Sequence, residues 1–469
     1  MILIYDTETT GLPRDWNAPI SDADNWPRLV QLAWQLHDKQ GRLLSRGNFI
    51  VAPEGFTIPF NSTKIHGITT DRALADGVPL EKVLADFMSD AAQAKYVMGH
   101  NVGFDVNVVG AELLRLGQLA EPLMGMSIID SKEEGTDFCA IPGGRGGKFK
   151  WPTLTELHQK LFDEGFGDAH DAAYDVAATA RCFFEMVRLG IIERSEITDP
   201  KAVQYEAPQL EVANFETPKE KQGASDMSKP EVEVPSSDAL AEVPFSHLHV
   251  HSQFSVLQAV SPVNELVAAA KEMGMPALAV TDHGNMMAAF QFVRACSKEG
   301  IKPIVGAELN VCRDMHDKSV KDNGYPTVFL AKNKKGYHNL AKLASKAYTD
   351  GFYYVPRIDR ALVEEYKNDL IVLTGGLFGE VPSLILNVGE TQAEEALLFW
   401  KSLMGDDFYV ELNRHGLEEE VVVNETLMSL ASKHGVKLVA SNNSYYTRQD
   451  QSEAHDILLC VKDARNVSE

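Results

Sequence analysis

Between about Ser195 and Val243 the chain loses the texture of a folded protein, and that break constrains everything else it can form. The stretch EAPQLEVANFETPKEKQGASDMSKPEVEVPSSDALAEVP is rich in Pro, Glu, Lys and Ser and lacks apolar periodicity. Such a composition buries too little apolar surface to offset the entropy of ordering it. Residues 195–243 therefore read as a flexible charged linker, with a loosely packed arm at NFETP as the alternative. At 469 residues the chain is also longer than one hydrophobic core ordinarily serves. Two separate cores are expected, in residues 1–194 and 244–469.

Both flanks alternate strand and helix signals, so both are α/β. In the first, ILIY is a short apolar strand, and LVQLAWQLHD and LLSRGNFIVA flank the turn-like KQGR as a hairpin. PLEKVLADFMSDAAQ has helical periodicity behind a proline, YVMGHN is a strand, and a helix is predicted from about Phe104 to Leu116. TLTELHQKLF opens with a capping box, Thr153 to Glu156, and DAAYDVAATARCFFEMVR is a long helix. In the second flank the chain runs through HLHVHS, the helix SPVNELVAAAKEMG and the strand ALAVTDHG. The helix MMAAFQFVRACSKEG and the strands KPIVGAELNV, TVFLA, LIVLTG, FYVELN and KLVASNN follow. Such alternation predicts a parallel barrel or an open sheet with its polar strand ends at one face.

The first flank holds a set of acids with a chemical logic. Asp6 and Glu8 are two apart at the end of a strand, so their carboxylates share a face. Asp105 follows the strand YVMGHN, and His170 and Asp175 frame the start of the long helix. Five residues along a helix is about 140° of rotation, so His170 belongs on the loop before it. Four converging carboxylates repel unless divalent cations neutralise them, and hard oxygen ligands suit two Mg2+ or Mn2+ ions. Paired ions of that kind serve phosphodiester cleavage, with a neutral imidazole as the base that takes the proton of water.

DTETTG, GHNVGFD and HDAAYD resemble the three motifs of the DEDDh class of 3′–5′ exonucleases, which have a ribonuclease-H-like fold. The resemblance covers roughly residues 1–190 and fills every motif position. It implies that Asp6, Glu8, Asp105 and Asp175 hold the metals and that His170 is the base. It assigns Thr7, Thr9, His66, Asn101 and Phe104 to the substrate, and KIHGIT (64–69) to packing on the terminal nucleotide. The loop PGGRGGKFKWP (142–152) places Arg145 and Lys148 beside Phe149 and Trp151. It is either a loop that tracks phosphates and stacks a base or a glycine-rich solvent loop.

The second flank carries histidines and acids at strand ends, a metal-site pattern: His249 and His251, Asp282 and His283, Glu308, and His415. HLHVHSQFSVL, AVTDHGNM, KPIVGAEL and YVELNRHG resemble the polymerase and histidinol phosphatase (PHP) domain, a distorted β/α barrel. More narrowly they resemble the version that begins bacterial DNA polymerase III alpha subunits. Intact family sites carry an acid near Gln258, a cysteine where Gly376 stands, and Asp and His where Asn443 and Tyr445 stand. Each missing donor weakens a metal cage. The expectation is a largely structural PHP domain with room for one residual Zn2+ or other divalent ion. An active phosphoesterase, or an interaction module in which neither site turns over, are the alternatives.

The formal net charge of −23 argues against a basic nucleic-acid face, but bound metals invert the local sign, so charge does not decide the substrate. The resemblance implies DNA 3′ ends as substrate, with a polymerase core and other replisome subunits as partners. It also makes SEAHDILLCVKDARNVSE the segment leading into a core that this sequence lacks. The five scattered cysteines read as reduced thiols, the start MILIY lacks a signal-peptide pattern, and no apolar run is long enough to span a bilayer. A cytoplasmic protein without membrane contact is expected.

Overall fold

The computed structural model describes residues 1–144, 147–165, 171–192, 200–208 and 243–467. They form two units, and residues 195–199 and 209–242 of the expected linker lie outside the described residues.

In the first unit, strands β1 (Ile2–Thr9), β2 (Leu29–His37), β3 (Leu43–Ile50), β4 (Tyr96–Gly99) and β5 (Ser127–Asp130) form one sheet in the order β3-β2-β1-β4-β5. The β1, β2 and β3 segments pair antiparallel, as the hairpin signal predicts, whereas β4 and β5 join in parallel. Alternation along β1 sends Leu3 and Tyr5 to one face and Ile2 and Ile4 to the other. The principal helices are α1 (Phe60–His66), α2 (Leu80–Ala91), α3 (Val102–Arg115), α4 (Leu154–Phe162) and α5 (Ala172–Arg188). Val83, Leu84 and Phe87 of α2 and Val106 and Val109 of α3 pack on the Leu3 and Tyr5 face. Leu157 of α4 and Val176, Phe183 and Val187 of α5 pack on the other. Each such side chain contributes about 1.5–3 kcal/mol on burial.

Helix ends follow local chemistry. The Thr153–Glu156 capping box is present, and Asp171 caps α5 by accepting from Ala173 N–H. Helix α3 starts at Val102, two residues before the sequence expectation, because Asn101 takes a left-handed turn (φ 73°) directly after β4. Gly99 makes that turn feasible: a Cβ there would lie 2.8 Å from Val102 Cβ and 3.1 Å from Tyr5 O. Residues 200–208, assigned by composition to the linker, instead pack on this unit. Tyr205 stacks on Phe184 with ring centroids 5.2 Å apart, and Gln204 N–H donates to Gln40 O at 2.7 Å. One aromatic ring with a ready partner outweighs the polar composition around it.

The second unit contains α6 (Val263–Glu272), β6 (Ala277–Val280), α7 (Ala289–Glu299), β7 (Lys302–Cys312), β8 (Tyr325–Ala331) and α8 (Lys334–Thr349). Then come β9 (Arg357–Asp359), β10 (Leu370–Leu373), β11 (Phe408–Leu412), α9 (Glu418–His434) and β12 (Lys437–Ala440). The sheet order is β12-β11-β10-β8-β7-β6, with β9 beside β7. It is mixed, not parallel as the alternation suggests, because β8 runs antiparallel to both β7 and β10. HLHVHS is not a full strand. Its backbone makes the Val250–Ser444 bridge and bonds to Ala279, Thr281 and the Asp282 carboxylate. Those contacts tie the β6 edge to the chain just after β12 and curl the sheet into a distorted barrel.

Candidate active site and a second acid–histidine cluster

Topology creates the first site. Pairing of β1 with β4 ends at Ile4–Met98, so the half of β1 that carries Asp6 and Glu8 is flanked on one side only, by β2. Thr7 N–H, which a longer β4 would have accepted, donates instead to Asp105 Oδ1 at 3.0 Å, and Thr7 Oγ1 donates to the same oxygen at 2.6 Å. Asp105 is buried in the first turn of α3. Asp175 lies in the first turn of α5, its N–H bonded to Asp171 O at 3.0 Å.

The ligand oxygens of Asp6, Glu8 and Asp175 lie within 4.8 Å of one another. Burial, then the charges of Asp105, Asp175 and Glu8, push the Asp6 carboxyl well above its ordinary range. Burial and the Asp175, Asp105 and Asp171 charges push Glu8 up to about 9. Burial lifts Asp105 to about 7 against the opposing pull of the Thr7 hydrogen bonds. Among the described residues no lysine or arginine pairs with Asp6 or Glu8. Buried acids of one sign without a counter-charge fit a divalent cation.

The remaining expected residues divide. Thr7 is turned inward as the anchor of Asp105 and is buried. The hydroxyl of Thr9 donates to Gly11 O. His66 is buried, its Nδ1 accepts from Ile68 N–H, and burial lowers its pKa to about 4, so the ring is neutral. Asn101 accepts from Lys132 Nζ at 2.6 Å, and Phe104 packs on Trp16. Lys148 is exposed on its loop. His170 and Arg145 lie outside the described residues. One acid escaped sequence reasoning: Asp171, buried, whose Oδ1 accepts from Ala173 N–H and from Gln31 Nε2. Its Oδ2 and Gln31 Oε1 have no partner among the described residues. Its place between His170 and the helix was legible; its depth was not.

The second cluster is built differently. Donor atoms of His249, His251 and Glu308 lie within 4.8 Å of one another, all buried. Glu308 meets His249 Nε2 at 3.1 Å and His283 Nδ1 at 2.7 Å. His249 Nδ1 meets Glu411 Oε1 at 3.0 Å. Glu411, within the quoted motif YVELNRHG, is a member that sequence reasoning missed. Burial disfavours the His249 imidazolium, but Glu411 and Glu308 outweigh it and raise its pKa to about 10. Burial drives His251 down to about 3.

Two expected ligands are outside that three-residue cluster. Asp282 accepts from Ser252 N–H and Oγ at 2.7 Å each and from Ser255 Oγ at 2.8 Å, and Ser255 Oγ also meets His251 Nδ1 at 3.0 Å. His415 pairs with Glu420 at 2.5 Å and is outside the three-residue cluster. The departures have structural substance. The Tyr445 ring lies flat against His251 at 4.4 Å, with 2° between the planes. A Cβ on Gly376 would come within 2.8 Å of Asn413 Oδ1, so a larger residue there would require the Asn413 amide to shift.

Residues 3–183 match the family model described as exonuclease, and residues 247–415 match that of the PHP domain. The chain therefore joins an exonuclease domain to a PHP domain. Its curated relatives are DNA polymerase III alpha subunits. That of Treponema pallidum (strain Nichols) is 42% identical over 235 residues, 49% of this chain and 20% of the relative. That of Borreliella burgdorferi (strain ATCC 35210 / DSM 4680 / CIP 102532 / B31) is 39% identical over 221 residues, 46% of this chain and 19% of the relative. The chain thus spans about a fifth of the length of the relatives it matches. Among solved structures, E. coli Exonuclease I in complex with a dA16 oligonucleotide is 21% identical, covers 40% of each chain and has a TM-score of 0.32. No helix among the described residues is long and apolar enough to cross a membrane.

Proposed function

We propose that this chain is a metal-dependent 3′–5′ exonuclease that removes nucleotides from DNA 3′ ends, proofreading for a replicative polymerase in the cytoplasm. The observation that carries the reading is the convergence of Asp6, Glu8 and Asp175, with Asp105 beside them and, among the described residues, no lysine or arginine on Asp6 or Glu8. These four carboxylates would hold the divalent ions, Mg2+ or Mn2+ by donor type. Bound there, such ions supply activated water and charge stabilisation at a phosphodiester. The chain's own share is positional. Strand β1 fixes Asp6 and Glu8, Thr7 fixes Asp105, and the cap of α5 fixes Asp175. His170 is the proton acceptor by motif.

The PHP domain is assigned a structural role. His249, His251 and Glu308 fit at most one Zn2+-class ion, and that ion would compete with the proton shared by His249, Glu308 and Glu411. DNA as substrate, and a polymerase core and replisome subunits as partners, rest on the named relatives.

The test uses single-stranded and mismatched duplex DNA, labelled at either end, with Mg2+. Wild type should shorten 5′-labelled DNA stepwise. Asp6→Ala with Glu8→Ala should abolish this, and His249→Ala should leave it intact. Full activity in the double variant would sink the proposal, and loss in His249→Ala alone would move the activity to the PHP domain.

A further inference from the structure

One exposed tryptophan packs on the N-terminal turn of α3, the turn that carries Asp105, and a second is tied through Lys132 to Asn101, the residue before that helix. Trp16 is 51% exposed and Trp151 is 59% exposed, although indole rings are usually largely buried. Trp16 packs on Phe104, the neighbour of Asp105, with ring centroids 5.7 Å apart. Trp151 carries Lys132 Nζ 4.2 Å from its ring centroid, and that ammonium also donates to Asn101 Oδ1 at 2.6 Å. His100 Nε2 donates to Pro152 O at 3.0 Å, which fixes the strand end to the residue after Trp151. Trp16 thus packs directly on Phe104 and Trp151 is linked to residues 100 and 101 through Pro152 and Lys132, while about half of each ring stays open.

We infer that Trp16 and Trp151 are stacking walls for the unpaired nucleotides of a single-stranded DNA 3′ end entering the carboxylate site. The inference rests on the exonuclease reading and adds two binding determinants to it. Bases stack on aromatic rings regardless of sequence. The Lys132 ammonium, held at Trp151, supplies positive charge for a phosphate beside the stacked base. In a chain of net charge −23, stacking with one placed cation is a route to a polyanion that needs no basic face.

The experiment titrates the full chain with an oligothymidylate in Ca2+, to allow binding with little cleavage, and reads tryptophan fluorescence and affinity. Wild type should quench. Trp16→Ala and Trp151→Ala should each weaken binding about fivefold or more and each lose part of the quench. Trp16→Phe and Trp151→Phe should restore most of the affinity without the lost signal. In Mg2+ the alanine variants should raise KM and spare kcat. Affinities within twofold of wild type and an undiminished quench, in a wild type that degrades DNA, would overturn the stacking role alone. A wild type that neither binds nor degrades DNA would overturn the exonuclease reading and this inference together.

Discussion

Glu8→Gln should make the metal-free protein more stable while destroying its activity. The Glu8 carboxyl is raised from 4.5 to about 9 by burial first and by Asp175, Asp105 and Asp171 next. A raised carboxyl keeps its proton in the folded state after the unfolded chain has lost it. Stability therefore falls as pH rises from the unfolded value toward the folded one. At pH 7 the gap above the unfolded value is about 2.5 units, equivalent to at most about 3 kcal/mol. At pH 5.5 the gap is about one unit and the penalty about 1 kcal/mol. Glutamine keeps the shape, never ionises and escapes the penalty.

Calorimetry of the full chain in EDTA reads this directly, through the transition that moves on adding Mg2+. For a domain of this size about 3 kcal/mol is roughly 6–12 °C in Tm, so Glu8→Gln should melt higher by up to that amount at pH 7. The gain should be about a third as large at pH 5.5. Mg2+ should then raise wild type, by about 2.7 kcal/mol at a hundredfold excess over Kd, and move the variant far less. A variant that melts lower than wild type by the same margin at both pH values would show Glu8 to be an ordinary structural carboxylate. The cation-deficient cluster would then be wrong.

Three further outcomes are expected. Thr7→Val removes a 2.6 Å donor to a buried carboxylate, a bond worth about 1.5–3 kcal/mol; exonuclease kcat should fall about tenfold or more with little change in KM, and unchanged kcat would remove Thr7 from the machinery. Asp171→Asn keeps the cap of α5, whereas Asp171→Ala loses it at about 1 kcal/mol; urea titration should separate the two, and both should shift the half-saturating Mg2+ because both delete a charge that acts on Glu8. Glu411→Gln leaves the buried His249 with one carboxylate and should destabilise the second unit by about 3 kcal/mol or more. Because His249 is raised to about 10, that stabilisation is complete below about 6.5 and is lost as pH rises through 10, so the variant's deficit should shrink between pH 6 and pH 10.

What the sequence made legible follows from how local each signal is. The i, i+2 pair Asp6 and Glu8 needed only strand alternation, and the capping box at Thr153 needed only four residues. The hairpin needed its turn and two apolar runs. The mixed direction of the second sheet, by contrast, depends on which strands β8 pairs with, a non-local choice that apolar runs do not encode. Asp282 carries the residue type of a ligand, and nothing local says that its oxygens accept from two serines 30 and 27 positions away. Glu411 sat inside a quoted motif and went unseen, because nothing in FYVELN says that its side chain meets His249 from across the sheet. Tyr205 was submerged in a polar segment whose average hid one stacking ring.

The two clusters solve one electrostatic problem in opposite ways. Among the described residues the charges that act on Asp6 and Glu8 are all negative, and the carboxyls respond by holding protons. A divalent ion that displaces those protons gains both the attraction and the relief of repulsion, so affinity is strongest where the empty site is least stable. Around His249 the chain supplies its own cation. Glu308 is held well below its ordinary range because, against burial, His249 and His283 donate to it. An ion entering there must first expel a proton that two carboxylates stabilise, and it finds Asn443, Tyr445 and Gly376 where further donors would stand. Loss of ligands from such a cage is tolerable for the fold only if the buried carboxylates keep a positive partner. The buried carboxylates of the second cluster thus have histidine partners of the chain's own, whereas among the described residues no lysine or arginine acts on Asp6 or Glu8.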